Sequence, residues 1–365
     1  MIDIIIPTYK GYNTLKNILD ALNNQSFDKK LLNIVVILND PPKFREKYRH
    51  LEEIFPAVTF VIEDKKGRSH ARNKALNLNV KNELILFIDC DVKLSKDWIV
   101  LAVKYLRQMK VDAIIGKTIK VGKSKFLNIL RESKSNKEEK ELQLSGILNS
   151  SNCLIKRSVF EKMGGFNPEF RRLEDTEFFF RFLLSGYVLS QRKNLLSEVE
   201  YPQGLFNYLI VRSISTGIYQ AKLLKIFDFN YPIFDIKLSR FNYQYFLLSL
   251  AKIFCSFIRR ISLFISLFYF RKRTKYKQKI EKELFLSKVS GRDIYLNYHI
   301  GKIYLDDDFY FCNLNKLKYL KVSKDELSLL YYPIGTARDI NQVKLIFFIK
   351  KLLKCSIIKI KRESA

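Results

Sequence analysis

From residue 2 to about 120 the chain alternates short β-branched runs with longer amphipathic ones: IDIII then TLKNILDALNNQ, NIVVIL then FREKYRHLEEIF, VTFVI then HARNKALNLN, LILFI then DWIVLAVKYLRQM. Strands that are apolar throughout need cover on both faces, and amphipathic helices between them supply it. The pattern therefore predicts an α/β domain built on a mainly parallel sheet flanked by helices. In such sheets ligands bind beyond the carboxyl ends of the strands. The fourth run ends there on two acids, Asp89 and Asp91, in LFIDCD. Side chains two apart on an extended segment point the same way, so both carboxylates can face one divalent cation. The plain alternative is a pair of turn aspartates that bond their own backbone.

The rest of the chain is less regular. Residues 123 to 143 are polar and highly charged and are read as a solvated helix or loop without catalytic weight. Order returns from 146 with ILNSSNCLIKRSVFEKMGGF, then LEDTEFFFRFLLSGY, a helix that opens on acids as its dipole favours and closes on Gly186. Residues 241 to 270 are the most apolar part, but Lys252, Arg259 and Arg260 leave no uncharged run near the ~20 residues that a spanning helix needs. RKRTKYKQK follows, with six basic residues in nine. Beside an aromatic-rich segment this reads as an interfacial anchor on anionic lipid; the alternative is a buried helical pair with a solvated basic tail. From about 291 the strand-like runs KIYLDD, FYFCNL and KYLKV precede the helix-like KDELSLLYY and NQVKLIFFIKKLLK. The expected division is a catalytic domain over 1–205, a helical, amphipathic, membrane-associated segment over 206–285, and a small C-terminal α+β module over 286–365.

Charge bears on partners. Sixty-five Lys and Arg against thirty-seven Asp and Glu leave a net +28, which points to a polyanionic neighbour: nucleic acid, an anionic membrane face or a phosphorylated substrate. No nucleic-acid-binding motif is visible, and the basic residues crowd beside the apolar stretch, which favours the membrane. Five scattered cysteines without a C-x-x-C suggest neither a disulfide framework nor a zinc site. MIDIIIPTYK has neither a basic leader nor a long apolar segment and does not read as a signal peptide. The expected location is the cytoplasm, peripheral on the inner face of the cell membrane.

Four segments in order, IIIPTYK, GRSHARNKAL, LFIDCDVKLSKDWI and GGFNPEFRRLEDTEFFFRFLLSGY, resemble those of an inverting glycosyltransferase of family 2 with the nucleotide-sugar-binding GT-A fold. The resemblance covers about the first 200 residues. It implies that Pro7, Thr8 and Tyr9 line the base and ribose, and that Arg68, Arg72 and Asn73 belong to the nucleotide-sugar site. Arg72 suits a phosphate because its charge is permanent and its fork bidentate; its alternative is an ion pair with a neighbouring loop. Asn73 suits a loop or the ribose. The resemblance further implies that Asp91 binds Mg2+ or Mn2+ directly while Asp89 contacts the ribose or the water shell of the metal. Such an ion would neutralise the departing diphosphate. In the family's Glu-Asp pair, here Glu174 and Asp175, the aspartate takes the proton of the acceptor hydroxyl. Single displacement then inverts the anomeric configuration with no covalent nucleophile.

Two departures stand out. The second strand ends in ILNDPP, so Asn39 or Asp40 takes the place of the family's acidic pair that reads uracil, which leaves the base open although a UDP-linked donor is the first expectation. The Q-x-x-R-W of processive synthases is absent, Trp98 being the single tryptophan, so one sugar is expected to be transferred and released. The acceptor expected is a glycan or lipid-linked intermediate of cell-surface polysaccharide assembly. IYLDDDFYFCNLNKLKYLKVSKDELSLL is also faintly similar to the small winged-helix modules that hold leader peptides, which would make the acceptor a peptide. A nucleotidyltransferase on a similar fold would want a Gly-rich loop where this chain has PTYKGYN. The remaining alternative is a polyanion-binding protein without enzymatic activity.

Overall fold

The computed structural model describes residues 1–78, 82–121, 149–200, 205–227, 258, 261–262, 284–289, 292–296, 300–313, 318–323, 326, 351–352 and 358–361. The alternating half folds as its pattern demands. Strands β1 (Ile2–Thr8), β2 (Leu32–Leu38), β3 (Val58–Ile62) and β4 (Leu84–Ile88) run parallel in the order β3-β2-β1-β4. Between them lie helices α1 (Tyr12–Asn23), the short α2 (Pro42–Arg45), α3 (Arg49–Ile54) and α4 (Arg68–Leu76). All seven residues of β1 and all five of β4 are buried, because both faces of the sheet are covered. Alternation sorts them: Ile4 and Ile6 pack with Leu15 and Leu19 of α1, while Ile5 packs with Ala71 and Ala75 of α4. Asp3 is the buried exception, held by Arg157 at 2.6 Å and by both amides of Asn82.

Beyond β4 the sheet becomes mixed. Strand β5 (Val92–Leu94) and helix α5 (Trp98–Met109) lead to β6 (Ala113–Val121) and β7 (Asn152–Lys156), followed by α6 (Arg157–Met163), α7 (Glu174–Leu184) and β8 (Val188–Glu200). β7 is antiparallel to both β4 and β6, and β8 is parallel to β6. The parallel arrangement expected from sequence thus holds for the first four strands, and β7 is where it turns. Helix α7 opens on acids and closes as expected, with Gly186 at φ 84° just past its end. Helix α8 (Leu205–Ile226) follows, then β9 (Leu284–Val289) and β10 (Arg292–Leu296), which with β14 (Ile358–Lys361) make a separate three-stranded sheet.

Strands β11 (Ile300–Leu305), β12 (Asp308–Asn313) and β13 (Lys318–Val322) fall in the segment expected to be a C-terminal module, and they continue the central sheet. β11 lies parallel to β8, and Ile303 and Cys312 join the same core as Phe182, Leu183 and Leu189. Gly301 permits this: a Cβ there would sit 3.0 Å from that of Leu183 on α7. Arg192 reaches Asp307 at 2.9 Å across the same seam. Among the described residues no helix is long and apolar enough to cross a membrane. The apolar and basic run over 241–279 lies outside the described residues, save for Ile261, Ser262 and residue 258.

Candidate active site

The carboxyl ends of β1, β2 and β4 converge with the start of α4 and the start of α7. Arg72 on α4 lies at the centre, buried with 1% of its surface exposed, and bridges two elements. Its Nη1 donates to Glu174 Oε1 at 2.9 Å and its Nη2 to Asp89 Oδ1 at 2.8 Å. The guanidinium also lies 5.2 Å from the centre of the Phe166 ring. Burial works against its charge, but Asp89 and Glu174 outweigh that and hold it protonated. Both terminal nitrogens of Arg72 are thus held by carboxylates, while its buried Nε has no partner. The arginine open to solvent is Arg68, one turn earlier, with 63% of its side chain exposed and Nη1 3.8 Å from Glu174. Asp89, then Glu174, Asp175 and Asp91, raise its affinity for its proton against the cost of burial.

The two aspartates of LFIDCD do not share a strand face. β4 stops at Ile88, and Asp89 and Asp91 lie in a turn closed by the Val92 N–H on the Asp89 carbonyl at 3.0 Å. A local turn bond wins over extension, so Asp89 faces Arg72 while Asp91 is exposed at the end of an open cleft. That cleft, of about 730 Å³, runs along α1 past Thr14, Asn17, Lys93 and Glu198. Burial and the neighbouring Asp89 push the Asp91 carboxyl upward, a repulsion that a cation would relieve. Among the described residues no group of three or more His, Cys, Asp or Glu gathers. The donor set fits Mg2+ or Mn2+, which are commonly held by one or two carboxylates together with phosphate oxygens and water. Cys90, between them, is held as a neutral thiol, pushed up to about 11 by burial and by Asp91 and Asp89.

Glu174 and Asp175 separate by environment. Glu174 is buried and ion-paired to Arg72. Asp175 is half-buried, and its Oδ1 accepts the Thr176 N–H at 2.8 Å. Burial and the adjacent Glu174 push its carboxyl up to about 6, against the opposing pull of Arg72 and Arg68. Leu173, just before the pair, sits at φ 59° in the left-handed region that non-glycine residues rarely occupy. That turn directs Glu174 inward at the start of α7.

The remaining sequence candidates are mostly braces. Asn73 clamps the Gly-Gly turn, donating to Phe166 O at 2.7 Å and accepting the Phe166 N–H at 2.8 Å. A Cβ on Gly165 would collide with that amide. Asn39 donates to Glu63 O and Lys65 O and accepts the Gly67 N–H, which pins the loop before α4. Asp40 is 1% exposed and accepts the Lys10 N–H and the Tyr48 hydroxyl. Pro7 and Thr8 are buried at the end of β1, while the ring of Tyr9 is open to solvent.

Sequence reading missed Tyr48 and Arg172. Tyr48, whose hydroxyl ties Thr8 to Asp40, looked like one apolar position of an amphipathic helix. Arg172 donates to Ser215 of α8 at 2.9 Å. Burial and Arg68 lower its proton affinity while Glu174 and Asp175 restore part of it, so it faces the same cluster. Its place two residues before the acids was the available signal.

Residues 3–164, which hold the turn after β1, the Arg72 helix and both aspartates, match the sequence profile of Glycosyl transferase family 2. This stretch is similar to the family 2 glycosyltransferases. The α/β sheet with helices on both faces is the architecture expected of that family. Among solved structures, the chain is similar to the mannosyltransferase PcManGT from Pyrobaculum calidifontis in complex with GDP-Man and Mn2+, at 19% identity and a TM-score of 0.47 over 75% of this chain and 76% of that one. It is also similar to S. aureus TarS 1-349 in complex with UDP, at 14% identity and a TM-score of 0.46 over 80% of this chain and 96% of that one. No curated protein matches the chain significantly in sequence.

Proposed function

We propose that this glycosyltransferase transfers a single sugar, with inversion, from a nucleotide-sugar donor to an acceptor hydroxyl in cell-surface glycan assembly. The carrying observation is the division of labour between two adjacent acids: Glu174 locked to buried Arg72, and Asp175 half-buried with its carboxyl pushed up to about 6. A carboxylate of that basicity suits removal of a proton from a hydroxyl near neutral pH. One such base and no second nucleophile is the requirement of a single displacement.

Asp91 and Asp89 would hold Mg2+ or Mn2+, which supplies positive charge to the leaving diphosphate. Arg68, exposed and facing Asp89, adds a cation to the same oxygens. Arg72 is a positioning residue that fixes Asp89 and Glu174 to one another. Residues 1–205 form the catalytic unit in this reading. Residues 241–279 attach it to the anionic inner face of the membrane, where the acceptor is a lipid-linked glycan.

Nucleotide release from nucleotide sugars, followed with and without EDTA, tests the metal assignment. Asp91→Ala is expected to lower release by about 100-fold or more, because the diphosphate loses its counter-charge. Full activity of the wild type in EDTA overturns the assignment.

A further inference from the structure

In a site that selects one base, a buried carboxylate or amide is left free to meet the N–H edge of that base. At the end of β2 no such group remains. Asp40 has one oxygen on the Lys10 N–H at 2.5 Å and the other on the Tyr48 hydroxyl at 3.0 Å. Burial and Asp40 keep the Tyr48 phenol protonated, so it donates to Asp40 and in turn accepts from Thr8 at 3.2 Å. With 1% of its surface exposed, Asp40 is also sealed from a ligand. Asn39 has both amide atoms on backbone and is 7% exposed.

The neighbouring acceptors each have one oxygen engaged. Glu63 takes the Lys65 N–H at 2.7 Å and Asp64 takes Arg45 at 2.6 Å, while the Glu63 and Lys65 carbonyls hold Asn39. What faces solvent is mostly lysine: Lys10 and Lys66 lie 5.7 and 5.3 Å from the centre of the Tyr9 ring, and Lys43 and Lys47 lie 5.1 and 5.8 Å from that of Phe44, while the exposed carboxylate of Asp64 is paired with Arg45 rather than held in a buried, pre-set position.

We infer that the base of the donor is not read at its N–H edge: Asn39 and Asp40 are internal braces, Tyr9 offers a ring to any base, and lysine amines meet whatever carbonyl the base presents. Donors are then selected by diphosphate and sugar, and nucleotides with different bases are accepted. This rests on the nucleotide-sugar reading of the site. A site built around an edge hydrogen bond rejects an analogue lacking it by about 10⁴-fold, whereas stacking is indifferent to base identity.

Titration calorimetry of the full chain with UDP, CDP, GDP and ADP in Mg2+ decides the matter. Dissociation constants within about 10-fold of one another are expected, and Tyr9→Ala should weaken all four by a similar factor, about 5- to 100-fold. Asp40→Asn is expected to lower the melting temperature without reordering the four; if it does not fold, the wild-type panel decides alone. A preference above about 100-fold for one base, or a reordering by Asp40→Asn, overturns the inference while leaving the nucleotide-sugar reading intact. No binding by any of the four overturns both.

Discussion

Asp175 carries the most exposed claim about a single residue. Its carboxyl is pushed from 3.8 up to about 6 by burial and by Glu174, so the proposed base is a carboxylate only above that value. Transfer is expected to fall about tenfold per pH unit below about pH 6, the signature of a required deprotonated base. Stability should move in the opposite sense. The folded-state value lies above the unfolded one, so the favourable contribution is complete below about 3.8 and is lost as pH rises through about 6. Asp175→Asn keeps an oxygen for the Thr176 N–H and removes the buried charge. It should therefore raise stability by roughly 1–2 kcal/mol near pH 8 and leave it unchanged near pH 3.5. Thermal denaturation at the two pH values checks this; a variant less stable than wild type near pH 8 contradicts it.

At the scale of elements, the site depends on α4 gripping the loop that leads into α7. Asn73 holds Phe166 through both amide atoms, and Ser69 Oγ donates to Asn167 O and Phe170 O at 3.0 and 3.2 Å. Asn73→Ala leaves the Phe166 N–H and C=O without these bonds and should cost about 1–3 kcal/mol, with turnover falling more than nucleotide affinity because α7 carries Asp175, the proposed base. Denaturant unfolding alongside kcat and nucleotide Kd checks this; affinity lost with turnover kept would contradict it. The elements themselves were legible, since strand and helix periods differ and each run was long enough to show which it was. Side-chain partners were not. Nothing in GRSHARNKAL says that Arg72 points inward to Glu174 while Arg68 points outward, because both sit on one helix and the choice is made by distant acids. Asp91 was read on an extended strand because sequence does not show that a turn bond from Val92 to Asp89 ends β4 early.

Across the whole molecule, strands β11 to β13 extend the central sheet, and Ile303 and Cys312 on them help complete the core around Phe182 and Leu183. Sequence showed these strands but not their attachment, since register with β8 is set by packing between residues more than 100 apart. The charge of +28 is the other global property. If the run RKRTKYKQK binds anionic lipid, each basic residue near the surface contributes ~1 kcal/mol at moderate ionic strength. Neutralising Arg271, Lys272, Arg273, Lys275, Lys277 and Lys279 should then move much of the protein off anionic liposomes in a sedimentation assay with its melting temperature kept. Equal pelleting of the variant would make the run a solvated face. The account as a whole stands on one activity, and nucleotide release by wild type and Asp175→Asn across a panel of UDP, GDP and TDP sugars with Mg2+ or Mn2+ tests it most directly. Release from at least one donor by wild type is predicted, with a loss of ~100-fold or more in Asp175→Asn and nucleotide binding retained; no release from any donor, or equal release by the variant, would contradict it.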